Sequence, residues 1–210
     1  MDDVTAITQV ILKERQGRDR GWFEQEASCF HPRSRVHITW FDGPGDEFVE
    51  LSRASYAEGI RPSHRLAPPV VHHKGDRAVA EVPAEISVIQ DFGGVDAYII
   101  AYTRLLYRVE RLNGSWMISA LDCIYERNTV VPVVHGSSPT IDPELLARFR
   151  RPFMYLGYHL HQAGRQIRDD LYGDDQPGPV NALYEAAFSW LGSHDGGPFP
   201  ELAHVSSSSD

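Results

Sequence analysis

The chain predicts an α+β fold in which a cone-shaped, curved antiparallel sheet wraps around three N-terminal helices and encloses a pocket, with a helical C-terminal extension. Two observations carry this expectation. Helical periodicity dominates up to about Gly59, and from Ser63 to about Asn128 the pattern becomes a run of long strands joined by tight turns. A third bears on the interior: four tryptophans, nine tyrosines and nine phenylalanines suffice to line a cavity for an apolar or aromatic small molecule.

Residues 3–16 place Val4, Ile7 and Ile11 at helical spacing, and residues 20–30 place Trp22, Phe23, Glu26, Ala27 and Phe30 on one helical side. From Arg33 to Phe41 the alternation of Val36, Ile38 and Trp40 against His37, Thr39 and Phe41 predicts a strand. Gly43-Pro44-Gly45 reads as the turn that ends it, with Asp46 capping a third helix through Phe48, Leu51, Ser55 and Tyr56. A strand is expected from Ser63 to His73 and, after Lys74-Gly75-Asp76, a second from Arg77 to Ile89, where Pro83 marks an edge or bulge. The next runs from Asp96 to Arg111. Asn113-Gly114 is a strong hairpin signal, because a type I′ turn requires positive φ at both positions.

Beyond Pro132, Asp142-Pro143 reads as cap and first residue of a helix through Leu145, Leu146 and Phe149 toward His161. A Gly/Asp/Pro loop precedes a last helix carrying Val180, Leu183, Tyr184, Ala187, Phe188 and Leu191, stopped by Gly192. The expected division is an α+β domain over 1–132, the extension over 133–201 and a disordered tail over 202–210.

Composition narrows the function classes. A formal charge of −9, with both signs interspersed, argues against a nucleic-acid surface. No apolar run is long enough to span a bilayer, no secretory signal is visible, and two unpaired cysteines, Cys29 and Cys123, fit a reducing cytoplasm. The histidines lack the spacing of a metal site, and no Gly-rich phosphate loop or nucleophile elbow is present. Neither a metal nor another cofactor is expected.

His64 is the first candidate for chemistry. It opens an apolar strand directly after the helix-breaking Arg61-Pro62-Ser63, where a titratable ring can face a pocket; a hydrogen-bonded structural histidine is the competing account. Asp122 is the second. With Asn113-Gly114 as a two-residue turn, Leu105 is expected opposite Asp122, Tyr107 opposite Ala120 and Val109 opposite Ile118, which sets the carboxyl on an apolar face. Pairing with an arginine at the rim is the alternative for Asp122. On the opposite face Tyr98, Ile100, Tyr102 and Leu106 are too apolar to face water, so a second subunit or the C-terminal extension is expected to cover them.

Several local strings carry a resemblance to a family: Asp19 ahead of Trp22 and Phe30, the strand ending Trp40-Phe41, the His64 strand, Lys74-Gly75-Asp76-Arg77, and Arg111-Leu112-Asn113-Gly114-Ser115-Trp116. Over about residues 3–130 the chain resembles the nuclear transport factor 2-like superfamily, and within it the SnoaL-like group that includes scytalone dehydratase and lindane dehydrochlorinase. The resemblance implies that Asp19 orients His64 as a general base; read alone, Asp19 serves equally as a helix N-cap. Trp40 and Tyr56 would shape the cavity. The tyrosine that accompanies the aspartate in scytalone dehydratase falls near Arg18 here, its first-strand pocket tyrosine near Ile38 and its penultimate-strand asparagine near Leu105, so a scytalone substrate does not follow.

The resulting expectation is a cofactor-independent lyase or isomerase acting on a small apolar, aromatic or polyketide-like molecule, with Asp122 assisting, and a homodimer formed through the outer sheet face. The rivals are a non-catalytic binding or assembly module and the small subunit of a ring-hydroxylating oxygenase, which the same superfamily implies.

Overall fold

The β6–β7 hairpin is the spine of the molecule. In the computed structural model, which describes residues 2–165, 167–168 and 170–192, β6 (Asp96–Leu112) and β7 (Ser115–Pro132) pair antiparallel along almost their whole length. Asn113 and Gly114, at φ 50° and 82°, form the expected two-residue turn, and Leu112 faces Ser115.

Helix α1 (Asp3–Arg20), capped by the Asp2 side chain, leads into α2 (Phe23–Ser28). Gly21 ends α1 in the left-handed region at φ 70°, with the Tyr56 ring where a side chain would stand. The first strand is offset from expectation. Phe30 belongs to β1 (Phe30–Ile38) rather than to α2, and the chain turns at Thr39-Trp40, so Phe41–Pro44 becomes a second strand, β2. Gly43-Pro44-Gly45 is therefore not a turn, and α3 (Gly45–Ala57) starts at Gly45, with Asp46 in its first turn instead of at its cap.

The expected strand from Ser63 to His73 is two strands, β3 (Ser63–Leu66) and β4 (Val70–Lys74), because Pro68-Pro69 interrupts the ladder. Both pair with β5 (Arg77–Asp91). Pro83 sits where β3 gives way to β4; its carbonyl accepts from the Ala67 N–H, so its missing donor faces that gap.

Among the described residues eight strands form one mixed sheet, ordered β2-β1-β7-β6-β5-β3, with β4 added on β5 and β8 (Tyr172–Gly173) on β7. The pairs β1–β7 and β7–β8 are parallel and the others antiparallel. The sheet curves without closing. Its concave face, with Ala78, Ala80, Val82, Leu105, Tyr107, Val109 and Leu121, packs on Ile7 and Ile11 of α1 and Phe48 of α3. At roughly 25 cal/mol per Å² of apolar surface removed from water, this layer is the main stabilising element.

One register change has consequences for the site. The β6–β7 ladder shifts between Arg108 and Val109, where Ser119 is an extra residue on β7 whose hydroxyl donates to the Arg108 carbonyl. Val109 faces Ile118 as expected, but Arg108 faces Ala120, Leu106 faces Asp122 and Leu105 faces Cys123. A one-residue slip exchanges the two sheet faces, so Asp122 lies on the convex side.

After β7 the extension is broken where a continuous helix was expected. Asp142 caps α4 (Pro143–Leu146), Arg150-Arg151-Pro152 interrupts, and α5 (Met154–Gln162) restarts. Helix α6 (Pro177–Leu191) ends at Gly192 and lays Ala187 and Leu191 on Val79 and Leu106 of the convex face. The chain's own extension thus covers Leu106; Arg127 lies 4.3 Å from the Tyr102 ring centroid, Ile100 is half-buried, and Tyr98 stays 37% exposed. The expected disordered tail lies outside the described residues. No helix among the described residues is long and apolar enough to cross a membrane.

Leu106→Ala should cost about 2–5 kcal/mol, the range for emptying a fully packed leucine site, whereas Tyr98→Ala should cost under about 1 kcal/mol. Urea unfolding of the two variants, compared with the native chain, measures both.

Candidate functional site

A cavity of about 390 Å³ opens between the concave sheet face, the helices and the extension. His64, Trp40, Tyr56 and Leu105 line it together with Arg15 and Arg18. The first four come from different elements, and both arginines come from α1. Strand β3 presents His64 opposite Ile86; the β1–β2 turn presents Trp40; α3 presents Tyr56, and β6 presents Leu105. That turn is pinned by Tyr125, whose hydroxyl accepts from the Thr39 N–H at 2.9 Å and donates to Thr39 Oγ1 at 3.1 Å. Helix α5 closes the other side with Leu156, His159 and Leu160.

Asp19 stands behind His64, and its role as an N-cap is excluded because it lies in the last turn of α1. A carboxylate there opposes the helix dipole. It is held by β3: Oδ2 accepts from the His64 backbone N–H at 2.8 Å and Oδ1 meets His64 Nδ1 at 2.5 Å. Burial raises the Asp19 pKa, but the bonds from His64 outweigh it and the group lies below its ordinary value. An ionised Asp19 requires the proton on Nδ1, which leaves Nε2 as the lone-pair nitrogen.

The His64 side chain is only 3% exposed. Burial lowers its pKa, the bond to Asp19 raises it, and the nearby Arg15 guanidinium, with NH1 3.3 Å from Nε2, lowers it again; the net shift is downward. His64 is therefore neutral at neutral pH, with Nε2 free of a proton.

Beneath this pair lies a charged cluster inside the apolar core. Glu14 and Arg15 form a two-pronged ion pair. Burial opposes the charge on Arg15, but Glu14 outweighs it and raises its pKa. Tyr107 Oη, at 3.5 Å, also approaches Glu14. Arg18 donates to Ser52 Oγ, and its guanidinium carbon lies 5.1 Å and 4.9 Å from the Trp40 and Phe48 ring centroids. Glu26 is fully buried, and neither of its carboxyl oxygens has a hydrogen-bond partner among the described residues. Burial and the Glu14 charge push it up to about 8, so it stays protonated at neutral pH. The sequence reading missed Glu14, Arg15, Arg18 and Glu26 as site residues. A signal existed: Arg15 and Arg18 continue the stripe of Ile7 and Ile11 by steps of four and three.

Asp122 is not part of this cavity. It lines a separate convex-face cleft of about 540 Å³ under α6, with Arg35, His37, Arg108, Asp170 and Tyr172. There Arg108 NH2 lies 3.9 Å and His37 Nδ1 3.7 Å from its carboxylate oxygens. Burial raises the Asp122 pKa, as expected of a desolvated carboxyl, against the pull of Arg108 and His37. The Ser119 bulge is the reason that the expected pairing of Asp122 with Leu105 fails. Cys123 takes the inward place and lines the cavity, its thiol pushed up to about 12 by burial.

A profile of the SnoaL-like domain family matches residues 1–122. The chain belongs to that family. Pea pathogenicity protein 2 of Fusarium vanettenii is 29% identical over 204 residues, covering 90% of this chain and 88% of the relative, so the likeness runs well into the extension. Two solved structures share the fold. A hexachlorocyclohexane dehydrochlorinase (LinA) Type2 superposes with TM-score 0.55 at 16% identity, covering 65% of this chain and 94% of its own. A putative scytalone dehydratase from Novosphingobium aromaticivorans gives 0.50 at 15% identity, covering 66% and 92%.

Asp19→Asn should make His64 titrate at still lower pH, because the carboxylate is what opposes burial and Arg15. The sign for stability follows. With the folded pKa below the ordinary 6.5, the unfolded chain binds the proton first, so His64 costs stability as pH falls below about 6.5, and the variant should widen that window. NMR titration of the imidazole and urea unfolding between about pH 4 and 8 check both statements.

Proposed function

We propose that this SnoaL-like protein is a cofactor-independent lyase or isomerase of the dehydratase type, in which His64 removes a carbon-bound proton from a small apolar, aromatic or polyketide-like substrate. The observation that carries the reading is the chain Asp19–His64–Arg15 at the wall of an otherwise largely apolar cavity. Asp19 fixes the tautomer and stabilises the imidazolium that forms. Burial, helped by Arg15, keeps His64 unprotonated at rest, and Arg15, as a buried cation beside the reacting centre, favours the negative charge that develops on the substrate when the proton leaves. The electron pair of the broken C–H bond then forms a new double bond as a leaving group departs, or an enolate that is reprotonated elsewhere. The names of two structural relatives, a dehydrochlorinase and a putative dehydratase, fit the elimination branch. With Asp122 on the other sheet face, the assisting role passes to Arg15.

One observation favours a binding module instead. Arg15 NH1 already faces the Nε2 lone pair at 3.3 Å, so a substrate must compete with it for that nitrogen.

Proton abstraction is tested by incubating the protein in D₂O with a panel of 1-tetralones and 1,3-diketones and following loss of the α-proton signal by NMR. Exchange should exceed the buffer rate, fall about 10²–10⁴-fold in His64→Gln, and persist as pH falls through the ordinary imidazole range, weakening only below it, because the folded His64 pKa is lowered. A folded His64→Gln protein that exchanges at the native rate would leave the binding module as the better reading.

A further inference from the structure

Arg15 and Arg18 lie one turn apart on α1 and line the same cavity, but among the described residues only Arg15 has a carboxylate in contact. Arg15 is gripped by Glu14, and its remaining nitrogen faces His64. Arg18 has no carboxylate within 4.0 Å among the described residues; its hydrogen bond goes to the neutral Ser52 hydroxyl, and Trp40 and Phe48 lie against its guanidinium. Ring faces attract a cation but accept none of its in-plane N–H bonds. A guanidinium carries five donors in a planar fork that matches a carboxylate, and the half-buried Arg18 has most of those donors still to satisfy.

We propose that Arg18 is the anchor for a carboxylate, and that the cavity takes small organic acids whose apolar body lies against residues such as Ile86, Val88, Leu105, Leu156 and Leu160. A volume of about 390 Å³ lies near the lower end of the range of roughly 300–1,000 Å³ for small-molecule sites, which suits one ring or a short chain beside the charged head. The electrostatics agree with the geometry. Burial and the neighbouring Arg15 charge lower the Arg18 pKa to about 10, so a ligand anion relieves a strain that the protein's own groups leave in place. Three carboxyls act on Arg18 from beyond contact distance: Glu26, which burial and the Glu14 charge push up to about 8, Glu14, which is held in the ion pair with Arg15, and Asp19, which is held by His64. The one-turn spacing of Arg18 and Arg15 brings an anchored acid alongside the His64–Arg15 end of the cavity. That this acid is also the substrate rests on the proton-abstraction reading; that it binds does not.

The test is calorimetric titration of the full chain with 3-phenylpropionate, 3-phenylpropionamide and 3-phenylpropylamine, which share one apolar body and differ in charge. The carboxylate should bind about tenfold or more tighter than the amide, and the amine weakest. In Arg18→Gln the preference for the carboxylate over the amide should be lost, and Arg18→Lys should keep part of it, having charge without the fork. Equal binding of acid and amide by the native chain, or no binding of either at low-millimolar concentration, overturns the anchor even if Arg18→Gln fails to fold. So does a folded Arg18→Gln protein that keeps the native preference. A retained carboxylate preference together with no α-proton exchange by any compound would overturn the lyase reading and leave the anchor standing.

Discussion

The bond from the Asp19 carboxylate to His64 holds the site together, because it joins the end of α1 to the first strand of the second half of the sheet. One carboxylate accepts both the backbone N–H and the ring N–H of a single residue, so the position of β3 and the tautomer of the imidazole are set by the same contact. A carboxylate at a helix C-terminus is unfavourable in isolation. It is retained where two charge-assisted bonds offset that cost. The shape of the cavity wall and the orientation of Nε2 toward Arg15 depend on this joint, which also limits how far burial and Arg15 lower the His64 pKa.

Around it the protein buries more charge than its fold needs. Glu14, Arg15 and Glu26 sit under a layer of alanines, valines and leucines that would be more stable with apolar residues in their place. Such a cluster makes sense as preorganisation. Opposed charges fixed in a dry interior act on a ligand without having to reorganise, while burial, aided by Arg15 at His64 and by Glu14 at Glu26, lowers the pKa of the histidine and raises that of the glutamic acid.

The extension completes the molecule on both faces of the sheet. Helix α5 supplies Leu156, His159 and Leu160 to the cavity, while α6 covers Leu106 on the convex side and roofs the cleft that contains Asp122. The two solved structures cover about two thirds of this chain, whereas the Fusarium relative matches along nine tenths of it. The sequence likeness to the Fusarium relative therefore extends over most of the stretch that supplies these walls, beyond what the two solved structures match.

Local chemistry was enough to read the helix periodicities, the Asn113-Gly114 turn, the Asp142 cap, the Gly192 stop and, through family resemblance, the pairing of Asp19 with His64. These depend on neighbours in sequence or on a motif that survives divergence. The break at Pro68-Pro69 was also legible in principle, since proline cannot extend a ladder. What only the tertiary structure decided depends on single-residue differences between distant strands. One extra residue at Ser119 moved Asp122 from the cavity to the opposite face, and nothing local distinguishes a bulged serine from a paired one. The partners of Arg15 and Arg18 were likewise hidden. Their spacing put them on the buried stripe of α1, but whether a buried arginine meets a carboxylate, an imidazole or an aromatic ring is set by which strands and helices close over it.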